Sequence, residues 1–85
     1  MSIDRIINEM VQIKAESEQL SQMIALSAKD LQLQAAGIQA LTRGSRTGEM
    51  AASQVLIASR SLSETAVCLM ALNRDIDNVI REVAQ

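Results

Sequence analysis

The side chains that could do chemistry in this chain are few and scattered. Histidine, the commonest general base and metal ligand, does not occur among the 85 residues. The single cysteine, Cys68, therefore has no histidine to activate its thiol. We interpret it as a small buried hydrophobic residue, with an intermolecular disulfide as the alternative. The sequence does not predict an enzyme.

Two further patterns could suggest a site, and neither supports one. Asp75 and Asp77 would lie about 200° apart around a helix, so they cannot face one ligand. The run from Gly44 to Gly48 lacks the lysine, the preceding strand and the glycine spacing of a phosphate-binding loop. We predict no catalytic, cofactor-binding or metal-binding residue, no cofactor, and no small-molecule substrate.

Composition and charge narrow the remaining classes. Eight basic and ten acidic residues are dispersed along the chain and give a net charge of −2. A nucleic-acid-binding surface would be basic, and no uncharged run reaches the ~20 apolar residues that span a bilayer. We predict neither nucleic-acid binding nor membrane insertion. No signal peptide is recognisable, so the expected location is the cytoplasm, or outside the cell without a cleaved signal peptide.

The middle of the chain has the features of a turn between two helices. Gly44 follows a long periodic apolar run, where only glycine adopts the left-handed cap without a steric penalty. Ser45 or Thr47 can cap the next helix, and Glu49 suits the positive end of its dipole. The sequence predicts a turn over 42–48 that contains Gly44 and Gly48.

Apolar residues at alternating spacings of three and four indicate a heptad seam in each helix. The prediction is a helix of about 3–41, a helix of about 49–83, and one all-α antiparallel hairpin over 1–85. In the first helix the predicted seam is Ile3, Ile6, Met10, Ile13, Ser17, Leu20, Ile24, Ser27, Leu31, Gln34, Ile38 and Leu41. In the second it is Ala51, Val55, Ala58, Leu62, Thr65, Leu69, Leu72, Ile76, Val79 and Val83.

A second apolar track on the second helix predicts a partner. A chain of 85 residues without Phe, Tyr or Trp cannot build a thick core, and a two-helix unit is marginally stable alone. Two apolar stripes on one helix indicate two partners, so we predict a four-helix bundle completed by dimerisation or by another helical protein. The predicted interface is Leu56, Ile57, Val67, Met70 and Ile80.

A hairpin of this length with a glycine-bearing central turn resembles the small Trp-x-Gly proteins of bacterial type VII secretion. It is most similar to the small helical proteins associated with LXG toxins. Thr42-Arg43-Gly44 stands where the Trp-x-Gly tripeptide would be, without the tryptophan. The resemblance implies a non-enzymatic protein that pairs with a helical protein or toxin N-terminal domain to support its export.

Other classes of helical protein fit the same pattern. One is a chaperone or structural subunit of another secretion or filament system, such as the hairpins of type III secretion. Another is a self-associating coiled-coil dimer, and a third is a fragment of a chemoreceptor-like signalling coiled coil. The Met1 start and the cap-like ends favour a complete small protein.

Overall fold

The computed structural model describes residues 2–85, and Met1 of the predicted domain lies outside the described residues. The chain forms α1 (Ile3–Leu41) and α2 (Arg46–Ala84), with no strand between Ser2 and Gln85. The helices pack along each other as an antiparallel hairpin of 63 × 14 × 14 Å. The predicted all-α helical hairpin is therefore confirmed.

The first helix has the bounds that the sequence predicts. Its N-cap is Ser2, whose side chain accepts a hydrogen bond from the backbone N–H of Arg5 at 3.2 Å. Asp4 lies in the first turn, where a carboxylate is favoured by the helix dipole. Since the chain contains no proline, nothing interrupts the helix before Leu41.

The turn is shorter than predicted. Gly44 has φ of 85°, the left-handed conformation expected for it. The Ser45 side chain accepts a hydrogen bond from the Gly48 backbone N–H at 3.1 Å, which starts α2 at Arg46. The placement of Gly48 in the turn is therefore wrong. It lies in the first turn of α2, where a Cβ atom would overlap the Thr42 side chain.

We assign heptad positions a to g along each helix so that Ser21 of α1 and Ala66 of α2 occupy position a. Residues of one helix that share a letter form a row, and the helices pack through rows a and d. Row a of α1 is Ile7, Lys14, Ser21, Ala28 and Ala35, and row a of α2 is Ala52, Ser59, Ala66, Asn73 and Ile80. Row d of α1 is Ile3, Met10, Ser17, Ile24, Leu31 and Ile38, and row d of α2 is Gly48, Val55, Leu62, Leu69, Ile76 and Val83. All ten buried residues of the two helices belong to these rows.

This seam corrects the predicted one. The prediction combined row d with the neighbouring row g, whereas the hairpin packs rows a and d together. Sequence reasoning preferred row g because its aliphatic side chains are larger. Row a is preferred in the fold because its serines and alanines let the two backbones approach closely. Row g then lies outside the seam: in α1 it is Ile6, Ile13, Leu20, Ser27, Gln34 and Leu41, and in α2 Ala51, Ala58, Thr65, Leu72 and Val79.

Candidate binding face

Two serines show how closely the helices approach along row a. The hydroxyl of Ser59 donates to the backbone carbonyl of Ala28 at 2.8 Å. The hydroxyl of Ser21 donates to the backbone carbonyl of Ala66 at 3.1 Å. A side chain as short as serine reaches the opposite backbone only if that backbone is near. The a rows are therefore closely packed around Ser21, Ala28, Ser59 and Ala66, where the side chains are small.

The hairpin buries very little apolar volume of its own. Four of its five buried hydrophobic residues are alanines, and Ile76 is the only large one among residues 2–85. Ile3 at the start of row d is exposed. The remaining large members of the d rows are half-buried: Met10, Ile24, Leu31, Ile38, Val55, Leu62, Leu69 and Val83. Their side chains fill one side of the seam without being covered.

The g rows extend this incompletely covered surface. Reversing one helix of a coiled-coil pair brings both g rows to one side of the seam and both e rows to the other. Apart from the half-buried Ile6, the large g residues are exposed, with 49% of Ile13, 48% of Leu20, 44% of Leu72 and 39% of Val79 accessible to solvent. Rows d and g of the two helices therefore form one continuous surface along the hairpin, which we call the uncharged face.

The uncharged face has this name because no charged side chain lies on it. All eight basic and ten acidic residues of the chain fall outside rows d and g of both helices. Chance placement would put several of them there, since these rows contain about two sevenths of the helical residues. An apolar surface of this length without a charge is typical of a protein interface.

The opposite side of the hairpin carries charged side chains. The Lys14 ammonium lies 2.7 Å from an Asp77 carboxylate oxygen and 3.6 Å from a Glu18 carboxylate oxygen. A shallow groove of about 420 Å³ runs there, lined by Lys14, Glu18, Ser21, Gln22, Met70, Asn73, Arg74 and Asp77. All eight residues belong to rows a, b and e, which confirms that the e rows share one side.

Lys14 and Asn73 form a polar layer within the seam. The hydrogen bond from Lys14 to Asp77 raises the pKa of the lysine above its usual value of 10.5, because it stabilises the charged form. Asn73 is buried opposite Lys14, and its Oδ1 has no hydrogen-bond partner within residues 2–85. Polar residues at position a of a coiled coil specify the register of the helices at a cost in stability. Lys14 and Asn73 are polar residues at this position in both helices.

The raised pKa of Lys14 predicts a loss of stability in alkaline solution. A raised folded-state pKa contributes stability that is fully present below the unfolded-state value of about 10.4 and is lost as pH rises through the folded value. We expect the difference in melting temperature between the parent and Lys14→Met to be constant from neutral pH to about pH 9.5 and to shrink above the unfolded-state value. Thermal melts followed by circular dichroism would measure it.

Lys29 supplies the matched control for that experiment. It is the only other lysine of the chain, it is exposed, and it makes none of the ion pairs found within residues 2–85. Lys29→Met should therefore show no comparable convergence with the parent. A parent-minus-Lys14→Met difference that stays constant through high pH would contradict the role of the ion pair.

Four of the five predicted interface residues lie in the neighbouring rows e, b and f of α2, outside the uncharged face, and their role in binding stays a prediction. Leu56 and Met70 belong to row e beside the polar groove, with Leu56 half-buried and Met70 exposed. Val67 lies in row b and Ile57 in row f, and both are exposed. Ile80 is half-buried in row a, within the hairpin's own seam. Of these five residues, only Ile80 belongs to the hairpin's own seam.

Cys68 and the carboxylates, the remaining residues with reactive side chains, lie outside rows d and g. Cys68 is exposed in row c, so its interpretation as a buried residue is wrong: the seam on α2 passes on the other side of the helix. No cluster of three or more potential metal ligands occurs from Ser2 to Gln85. Sequence reasoning missed the role of the a rows, although their seven-residue repeat of small side chains is visible in both helices: Ser21, Ala28 and Ala35, and Ala52, Ser59 and Ala66.

Helix α2 satisfies one criterion of a membrane-spanning segment. By length and composition alone it could cross a bilayer, and 11% of its most apolar 18-residue window is buried in the hairpin. Core helices of soluble proteins satisfy the same criterion. Within α2, Arg60 and Glu64 lie among the apolar residues, and charges of this kind are unfavourable at a bilayer centre. The absence of membrane insertion stays a prediction.

Comparison with known proteins gives no relative. No family model, no curated protein and no solved structure matches the chain.

Proposed function

We propose that the chain is a non-enzymatic binding protein whose uncharged face packs against the helices of a second chain to complete a four-helix bundle. The single observation that supports this most strongly is the composition of the buried core. With Ile76 as the only large apolar side chain buried in residues 2–85, the hairpin lacks the core that a domain of 85 residues needs. Covering the uncharged face would supply it.

Burial of the exposed g residues gives the order of magnitude of the gain. Removing a leucine or isoleucine side chain fully from water contributes about 1.5–3 kcal/mol. Ile13, Leu20, Leu72 and Val79 are each between about two fifths and one half exposed, and the half-buried d residues would be covered with them. The sum is comparable with the whole stability of a small domain, about 5–15 kcal/mol.

The finer proposal is that pairing supports the export of the bound protein. It comes from the resemblance to the LXG-associated helical proteins of type VII secretion, in which hairpins of this kind pair with a helical toxin domain. The uncharged face is the surface on which such a domain would pack. Removing the chain from its native cells should then reduce the partner in the medium, while the partner's synthesis continues. Unchanged export would contradict this finer proposal.

A capture experiment tests the binding function itself. The tagged full chain is expressed in its native cells, and co-purified chains are identified by mass. The parent and Leu33→Glu should retain the same helical partner, because Leu33 lies in row f and is 65% exposed away from the uncharged face. Leu72→Glu should lose it, since a carboxylate would lose water at the interface. Equal capture by Leu72→Glu and Leu33→Glu would overturn the assignment of the face.

A further inference from the structure

We infer that the outer side of α2 binds an acidic helix of another protein, on a surface separate from the uncharged face. This surface consists of rows b and f of α2 from Arg46 to Arg81, which we call the arginine stripe. Three properties support the inference: the free charges of its arginines, the spacing of its rows and its exposed apolar side chains.

The arginines of the stripe lie in a single row. All four arginines of α2 occupy row b, and no acidic residue lies in that row: Arg46, Arg60, Arg74 and Arg81. Glu64 is the one acidic residue of row f. Four arginines and one glutamate give the stripe a charge of +3, although the whole chain has a net charge of −2. The partner that this surface attracts is therefore acidic.

No carboxylate of the hairpin neutralises these four arginines. The ion pairs found within residues 2–85 use Arg5 and Lys14 as their cations. All four arginines of the stripe are exposed. A guanidinium group binds a carboxylate through two parallel hydrogen bonds, with more geometric specificity than a lysine provides. The stripe thus presents four free groups that suit carboxylates.

The spacing of the stripe fits a helix. Rows b and f alternate at intervals of four and three residues along α2, which is the pattern of a coiled-coil seam. Arg46, Arg60 and Arg74 are two heptads apart, and Arg81 follows one heptad later. These intervals correspond to about 21 Å and about 10 Å along the helix. A partner helix with carboxylates at the same heptad intervals would meet each arginine in turn.

Exposed apolar side chains lie between the arginines. Met50 is 58% exposed, Ile57 59% and Val67 64%, so none of them contributes to the core of the hairpin. Burial of apolar area contributes affinity, while the charges contribute specificity. The expected partner helix therefore has apolar residues between its carboxylates. Ile57 and Val67 belong to the interface that the sequence predicts.

The stripe is too narrow for an anionic lipid surface. The rows on either side of it carry carboxylates: Glu49 and Asp77 in row e, and Asp75 and Glu82 in row c. A flat anionic bilayer would bring its phosphates toward these carboxylates as well, and like charges repel. A single helix about 10 Å in diameter can lie along the arginines between the two flanking rows.

The arginine stripe and the uncharged face can be occupied at the same time. On α2, the centre of rows b and f lies about 150° around the helix from the centre of rows d and g. A helix bound to the stripe therefore does not cover the uncharged face. The chain would then link two partners, one on each surface.

Two synthetic helical peptides test the charge of the partner. Each has about five heptads, the length of the stripe, with leucine at one seam position and either glutamate or lysine at the other. Fluorescence anisotropy with the purified full chain measures the dissociation constants. The glutamate peptide should bind at least ~10-fold more tightly than the lysine peptide, and added salt should reduce the difference. Equal binding of the two peptides, or no binding of either, would overturn the inference.

Charge reversal within the stripe has a matched control on α1. Arg60→Glu and Arg74→Glu should each raise the dissociation constant of the glutamate peptide at least ~10-fold. Lys29→Glu makes the same change in net charge in row b of α1, where the side chain is also exposed. Its effect should stay below ~3-fold, because only screened long-range attraction is lost. Equal losses in Arg60→Glu and Lys29→Glu would contradict the assignment to α2.

The apolar part of the stripe has its own matched pair. Ile57→Glu should weaken binding of the glutamate peptide at least ~10-fold, because the new carboxylate loses water and repels the peptide. Leu33→Glu, in row f of α1 and 65% exposed, should bind it as the parent does. Equal binding by these two variants would overturn the contact with Ile57.

Two other outcomes identify a different occupant or a different surface. Binding of phosphatidylglycerol vesicles that Arg60→Glu abolishes, without binding of the glutamate peptide, would overturn the inference in favour of an anionic lipid surface. Loss of the peptide in Leu72→Glu together with its retention in Arg60→Glu would place the peptide on the uncharged face. That result would overturn the inference and leave the proposed function standing.

Discussion

Ile76→Ala is expected to lower the free energy of unfolding by about 2–5 kcal/mol, the usual effect of emptying a large buried apolar site. Ile76 is 5% exposed and is the only large hydrophobic residue fully within the core of residues 2–85. Thermal unfolding at fixed protein concentration should show a melting temperature at least ~8 °C lower.

Ile57→Ala is the matched control for Ile76→Ala. It removes the same atoms from the same helix, but Ile57 lies in row f and is 59% exposed. Its effect should stay within about 0.5 kcal/mol, as for other surface substitutions. An equal decrease in the free energy of unfolding in the two variants would contradict the difference in burial between Ile76 and Ile57. It would support the predicted interface, which includes Ile57.

Ala28→Leu is expected to destabilise the hairpin by about 1–3 kcal/mol through overpacking. Ala28 is 3% exposed in row a, and its carbonyl accepts the 2.8 Å hydrogen bond from Ser59. A leucine at this position would occupy the space through which the Ser59 hydroxyl reaches α1. The helices would have to separate, which would also weaken the contact between Ser21 and Ala66.

Ala15→Leu supplies the comparison for Ala28→Leu. Ala15 is an exposed residue of row b on the same helix, so the added atoms meet solvent. Its melting temperature should remain near that of the parent, while that of Ala28→Leu falls. If Ala28→Leu were as stable as Ala15→Leu, the a rows would not be the closely packed rows, and the predicted d and g seam would regain support.

The two variant pairs examine different halves of one packing arrangement. Ile76→Ala tests whether row d is buried between the helices. Ala28→Leu tests whether the packing around row a has space for a larger side chain. Both are independent of the partner's identity, because neither residue lies on the exposed part of the uncharged face. If both results are as expected, row g lies outside the packing of the hairpin itself.

The local structure was predictable because local rules decide it. Absence of proline, serine caps and a single left-handed glycine suffice to specify two long helices and a turn at Gly44. The start of α2 was predicted three residues late, since both Ser45 and Thr47 are acceptable caps in the sequence. The hydrogen bond from the Gly48 N–H to the Ser45 side chain selects the earlier one.

By itself the sequence determined the hairpin, the exclusion of charge from rows d and g, and the stripe of large aliphatic residues along them. Only the tertiary structure decided that the helices close on rows a and d, leaving row g outside. The choice depends on register, because Ser21 meets Ala66 and Ala28 meets Ser59 across the pair. Small side chains of the two helices lie at the same level along the hairpin axis, which lets the backbones approach closely. This pairing joins residues that are far apart in the sequence, so it cannot be predicted from either helix alone.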